Sequence, residues 1–189
     1  TNGSTYSPLT TTATLETRLG QETFHKPVRL ATTTALPNSP TYTAGSAGQN
    51  GSTGTGATLT ATTYGALTVD TVSPIVGNRI CVQNQSNTVH NGVYEVTATG
   101  GVSQYWQLTR TTDFDGGTTD QVLFGDVFYV ASGSEWGLRF LAVSSAGSIS
   151  GSIHVVGTDS ITFEEISGIA GLGIGNGLTS TGRTINVTT

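Results

Sequence analysis

The sequence predicts an all-β fold, and three observations carry that prediction. The 189 residues include 36 Thr and 26 Gly, with no Met and only 10% charged side chains, a composition suited to pleated strands and turns and poor in helix formers. The apolar runs are short and tend to alternate with polar residues, the period of a strand with one buried face. Glycine-containing turn signals separate these runs at short intervals, as in a sandwich or barrel.

Along the chain, residues 1–26 read as a polar leader. Its one helix-like patch, TLETRLGQE, places Leu15 and Leu19 four residues apart. Two apolar residues cannot stabilise an isolated helix, so the leader reads as a linker or as a short helix that forms only when identical copies meet. From Pro27 the pattern changes to strands, beginning with Val28-Arg29-Leu30-Ala31. The stretch 37–56 carries two prolines and AGSAGQNGSTGTG, which reads as a long surface loop.

Strands are then expected at 57–63, 66–72, 79–85, 92–98, 105–111, 126–132, 139–145, 152–156 and 160–166. Within 66–72, Leu67, Val69 and Thr71 alternate with Thr68, Asp70 and Val72. Asn91-Gly92 is the dipeptide of a tight β-hairpin, and Gly100-Gly101, Gly116-Gly117 and Gly125-Asp126 mark further turns. The expected unit is an antiparallel β-sandwich-like domain over 27–167.

The last segment, 168–189, has Gly at 168, 171, 173, 175, 177 and 182. One copy has too little side chain to fold alone. Three copies around an axis would bury Ile169, Leu172, Ile174, Leu178, Ile185 and Val187 together, which makes this a trimerisation segment; a disordered tail is the other reading.

Several function classes are disfavoured. The formal net charge is −5 and the seven Lys and Arg are scattered, so no basic footprint for nucleic acid exists. No apolar run approaches the length of a spanning helix, and no basic segment followed by an apolar core opens the chain, so neither membrane insertion nor a signal peptide is expected. Cys81 is the only cysteine and cannot pair within the chain. His25, His90 and His154 have no metal-ligand spacing, and no cofactor or metal is expected. No GxSxG elbow is present.

Asp113, Asp115, Asp120, Asp126, Glu135, Glu164 and Glu165 supply carboxylates for glycoside chemistry, but no coil-length repeat suggests the solenoid that such spikes use. The run Asp113-Phe114-Asp115-Gly116-Gly117 opens like a calcium loop without its distal Glu, and reads instead as a solvated turn whose Asp side chains bond nearby amides. An enzyme is not expected.

The motifs PVRLATT (27–33), GATLTATTYGALTVD (56–70), GNRICVQNQSNTVHNGVYEV (77–96), WQLTRTTDFD (106–115), VLFGDVFYVASG (122–133) and SITFEEISG (160–168) resemble, in order and spacing, a module of bacteriophage tail fibre proteins. The family forms look like VRxATTxN, GxGATLTA, GDRVLVKNQ followed by NGIY, WxLTRATDFD and GxxVFVxxG. The tail motif NGLTSTGRTINV is similar to a strand-turn-strand found in fibres. This chain departs from the pattern at Asn78, at Cys81 and in the shortened loop holding Trp136.

The resemblance implies a homotrimeric virion component made in the host cytoplasm. Its implied partners are other tail or baseplate proteins and a bacterial surface glycan or protein, which it binds to mediate attachment. Trp106 falls in the family-like WQLTR and is expected in the core. Trp136, Tyr105, Tyr42 and Tyr64 fall in or beside loops and are the candidate receptor contacts, because flat faces with polar tips suit sugars and proteins alike. A bacterial surface adhesin module and a fibre-associated polysaccharide depolymerase are the alternatives.

Overall fold

The computed structural model of the chain describes residues 24–117, 122–144 and 153–166, together with the backbone of 178–181 and 184–187. The fold is all-β. Strands β1 (Leu30–Ala31), β2 (Thr41–Thr43), β3 (Thr58–Thr60), β4 (Gly65–Ala66), β5 (Arg79–Val82), β6 (Gly92–Gly101) and β7 (Gln104–Arg110) form one sheet in the order β1-β5-β6-β7-β3-β2, with β4 added to the far end of β6. Next come β8 (Val122–Leu123), β9 (Val127–Val130), β10 (Arg139–Ser144), β11 (Ile153–His154) and β12 (Thr162–Glu165). A second sheet has the order β12-β10-β9, and β8 pairs with β11.

The large sheet is mixed rather than purely antiparallel. β1 runs parallel to β5, with Leu30 opposite Ile80 and Ala31 opposite Cys81. Isolated parallel bridges also join Phe24 to Val127 and Val28 to Val130. Residues 24–26, expected in the leader, are thus tied to the body, and His25 N–H donates to the Val127 carbonyl at 2.8 Å.

Two apolar clusters lie on opposite faces of the large sheet, because successive strand residues point to opposite sides. Ile80, Val82, Tyr94, Val96, Trp106 and Leu108 join one cluster, covered by Leu36, Ala61, Leu67 and Val69 from the connections. Ala31, Cys81 and Val93 join the other, where Phe128, Val130, Leu141 and Val143 of the second sheet pack against them. The result is a sandwich of unequal sheets. Burying the large sheet on both faces makes its central strands apolar at consecutive positions, as in Ile80-Cys81-Val82.

Four expectations are corrected by packing. The 37–56 loop contains the edge strand β2, and its glycines let backbone touch backbone: a Cβ on Gly48 would lie 2.3 Å from the Gly116 carbonyl oxygen. Segment 66–72 is no continuous strand, since Val69 and Val72 bridge each other across a two-residue turn with φ of 48° at Asp70 and 63° at Thr71. Asn91-Gly92 is not a hairpin turn; the β5–β6 connection runs over 83–91, and Gly92 opens β6. The 113–117 turn is not solvated, because Phe114 and Asp115 are buried.

At the C-terminal end, strands β13 (Leu178–Thr181) and β14 (Thr184–Val187) form an antiparallel hairpin, with Leu178 opposite Val187 and Ser180 opposite Ile185. The two strands and their antiparallel pairing agree with the expectation, and the connection at 182–183 lies outside the described residues. The proposed trimer contacts Leu15, Leu19, Ile169, Leu172 and Ile174 lie outside the described residues, as do the side chains of Leu178, Ile185 and Val187. Among the described residues no helix is long and apolar enough to cross a membrane.

Candidate functional site

Two of the four aromatic candidates meet at one end of the large sheet. β4 pairs Gly65 with Gly101 and Ala66 with Gly100, while β7 lies on the other side of β6 with Thr99 opposite Trp106 and Gly101 opposite Gln104. That register sets Tyr105 opposite Gly100. A Cβ on Gly100, whose φ is 73°, would lie 2.1 Å from the Gly65 carbonyl oxygen, so only glycine lets β4 approach this closely.

Tyr64, entering β4, and Tyr105, in β7, then bring their rings to a centroid distance of 4.6 Å at a tilt of 38°. Both stay open to solvent, at 55% and 43% exposure. Val102, at the tip of the β6–β7 hairpin, is 99% exposed.

The loop that carries Tyr64 is pinned from below. Buried Trp106 donates its indole N–H to Asn38 Oδ1 at 3.1 Å. Asn38 Nδ2 donates to Thr63 Oγ1 at 2.9 Å. The Asn38 carbonyl accepts from Thr62 N at 3.1 Å and Thr62 Oγ1 at 2.9 Å. Trp106 is therefore a core residue that also supports the surface loop.

The other two candidates lie elsewhere. Tyr42 is half-buried against the Trp106-containing cluster, and its ring stacks on His90 at 4.3 Å with an interplanar angle of 12°. Burial lowers the pKa of that His90, and the nearby Arg110 charge lowers it further. Trp136 packs against the cluster between the two sheets, with the Arg139 guanidinium 6.0 Å from its ring centre. Both residues contribute to packing.

The sequence did not foretell a buried polar chain at the start of the domain. His25 Nε2 lies 2.9 Å from Asp126 Oδ2, and its Nδ1 is 3.9 Å from Asp113 Oδ2. Asp126 is fully buried and also accepts from Leu123 N at 2.7 Å. Asp113 takes two hydrogen bonds from Arg79, at 2.9 and 2.8 Å. Burial would raise the Asp113 pKa, but the bonds from Arg79 and Thr111 and the Arg79 charge prevail and hold it below the usual range.

Asp115 is shifted upward, since burial outweighs its hydrogen bond from Gly117 N at 2.6 Å. Glu165 pairs with Arg139. Most carboxylates weighed for catalysis thus have structural partners. Among the described residues no three His, Cys, Asp or Glu side chains converge as a metal site. His25 was legible only as a lone histidine, because its partners lie 88 and 101 positions away (113 − 25 and 126 − 25).

Set against known proteins, the chain matches no family model, and no curated protein or solved structure matches it either. The fold and surface define an all-β protein that displays an exposed aromatic pair beside a hydrogen-bonded loop.

Proposed function

We propose that this chain is a structural component of a bacteriophage tail fibre, attaching the particle to the bacterial surface by non-covalent binding through Tyr64 and Tyr105. The observation that carries this reading is the exposed ring pair held on a fixed loop. Aromatic side chains placed in water at low conformational cost are the usual anchors of recognition surfaces. The order and spacing of the fibre-like motifs support the virion assignment, and the structural partners of Asp113, Asp115, Asp126 and Glu165 favour binding over bond cleavage.

In this reading three copies assemble, together with other tail or baseplate proteins, on one fibre. Each contact is weak. Several contacts on one particle raise the effective concentration of the next, so avidity exceeds single-site affinity by orders of magnitude.

The test is binding of the labelled full chain to a panel of bacterial strains, alongside sedimentation. Strain-selective binding that falls in both Tyr64→Ala and Tyr105→Ala supports attachment. No strain bound by the parent protein would favour a connector role within the fibre. A monomer at micromolar concentration would remove the trimer.

A further inference from the structure

We infer that the ligand of the Tyr64–Tyr105 pair is an uncharged saccharide, and that Asn38 is the residue that positions the pair to receive it. The inference rests on the attachment reading above and narrows it to one ligand chemistry. It starts from charge. Positions 30–69 and 96–109, which supply β2, β3, β4, the distal half of β6 and nearly all of β7, contain no Asp, Glu, Lys, Arg or His. A glycan bearing carboxylate or phosphate would lose hydration against this end of the sheet with no opposite charge on those elements to compensate it.

What these elements offer suits a neutral sugar. Two tilted rings present faces and edges to the C–H faces of a pyranose. The flanking sequence supplies hydroxyls and an amide, at Thr63, Ser103 and Gln104, groups that both donate and accept and so match sugar hydroxyls.

Asn38 sets the geometry. Its backbone is left-handed, with φ of 61°, a conformation Asn tolerates better than most residues. Its side chain joins the Trp106 indole in the core to Thr63 in the loop, and its carbonyl holds Thr62. Tyr64 follows directly. Fixing that loop before the ligand arrives reduces the ordering cost of binding.

The test measures binding of the full chain to neutral hexose and 6-deoxyhexose oligosaccharides beside uronic-acid and phosphate-bearing polysaccharides, at 20 and at 300 mM NaCl, with cell binding followed in parallel. A neutral oligosaccharide should bind, with Kd changing less than about twofold across that salt range, because no ion pair is screened. Tyr64→Ala and Tyr105→Ala should each weaken it by about tenfold.

Asn38→Gly keeps the left-handed backbone accessible and removes only the side chain. With folding verified by near-UV circular dichroism, it should still weaken neutral-sugar binding by roughly fivefold. Parent-like affinity in Asn38→Gly overturns the positioning role. Binding confined to the anionic polysaccharides, or to protease-sensitive surface components, overturns the uncharged class while leaving attachment through the pair intact. Undiminished cell binding by both tyrosine variants overturns attachment through the pair itself.

Discussion

Gly92 and Arg110 should be strongly coupled in stability, although the sequence presents Gly92 as half of a turn signal. Arg110 is buried beside the β5–β6 connection. Its Nη1 donates to the Asn91 carbonyl at 3.0 Å, its Nη2 donates to the Tyr94 hydroxyl at 2.7 Å, and its guanidinium carbon lies 4.6 Å from the Tyr94 ring centre. A Cβ on Gly92, whose φ is 147°, would lie 2.0 Å from Nη1. Gly92→Ala must therefore displace the guanidinium.

The displaced group loses a charge-assisted hydrogen bond of about 1.5–3 kcal/mol and a desolvated cation–π contact of about 2 kcal/mol. Gly92→Ala should thus destabilise by about 3–5 kcal/mol. Arg110→Met retains a side chain of similar length without the charge and should cost roughly 1–3 kcal/mol, since replacing a buried ion is milder than stranding one. In Gly92→Ala/Arg110→Met the clash has gone, so the double variant should cost little more than Arg110→Met alone, about 3–5 kcal/mol less than the two single effects predict together. Urea unfolding, followed by Trp fluorescence at one fixed protein concentration, measures the cycle. Additivity within about 0.5 kcal/mol would refute the steric reasoning.

Other expectations follow from the same contacts. Asp113, depressed by its Arg79 pairing, contributes stability that is complete above the ordinary Asp range and is lost as pH falls through its lowered folded-state pKa. Asp113→Asn should therefore flatten the acid limb of a stability-versus-pH curve, and an unchanged limb would contradict the pairing. Asp115 has the opposite sign: its raised pKa adds stability at low pH that is lost as pH rises. Asp115→Asn keeps an oxygen for Gly117 N, so thermal unfolding at pH 7 should show stability equal to or above the parent's.

Thr71 is β-branched at a φ of 63°, so Thr71→Asn should stabilise by about 0.5–1 kcal/mol, and a lower melting temperature would argue against backbone strain there. Burial pushes the Cys81 thiol well up. A thiol reagent should label it only at the rate of unfolding, and immediate labelling of the folded chain would contradict the packing.

The site was partly legible in advance. Tyr64 and Tyr105 stood out as aromatics beside turns, but nothing local joined them, since 41 positions separate them (105 − 64). Trp136 reads as a loop residue because the fibre-like pattern is shortened after Gly133, yet it packs against the core. The histidine–carboxylate chain is invisible in the sequence for the same reason as the tyrosine pair: contacts of long sequence separation leave no periodic trace.

Composition and alternation by themselves determined that this chain is all-β, while the buried place of Trp106 and the paired strands of the C-terminal motif were expected only from the resemblance of their motifs to fibre modules. The all-β class is a local consequence of side-chain period and turn chemistry. Only the tertiary structure decided that β1 runs parallel to β5, that Gly92 makes room for a buried arginine, and that Asp70-Thr71 breaks an alternating run with a turn. It also decided which aromatics would share a surface. Those outcomes depend on how closely distant backbones approach, and that distance is set by packing across the whole sheet.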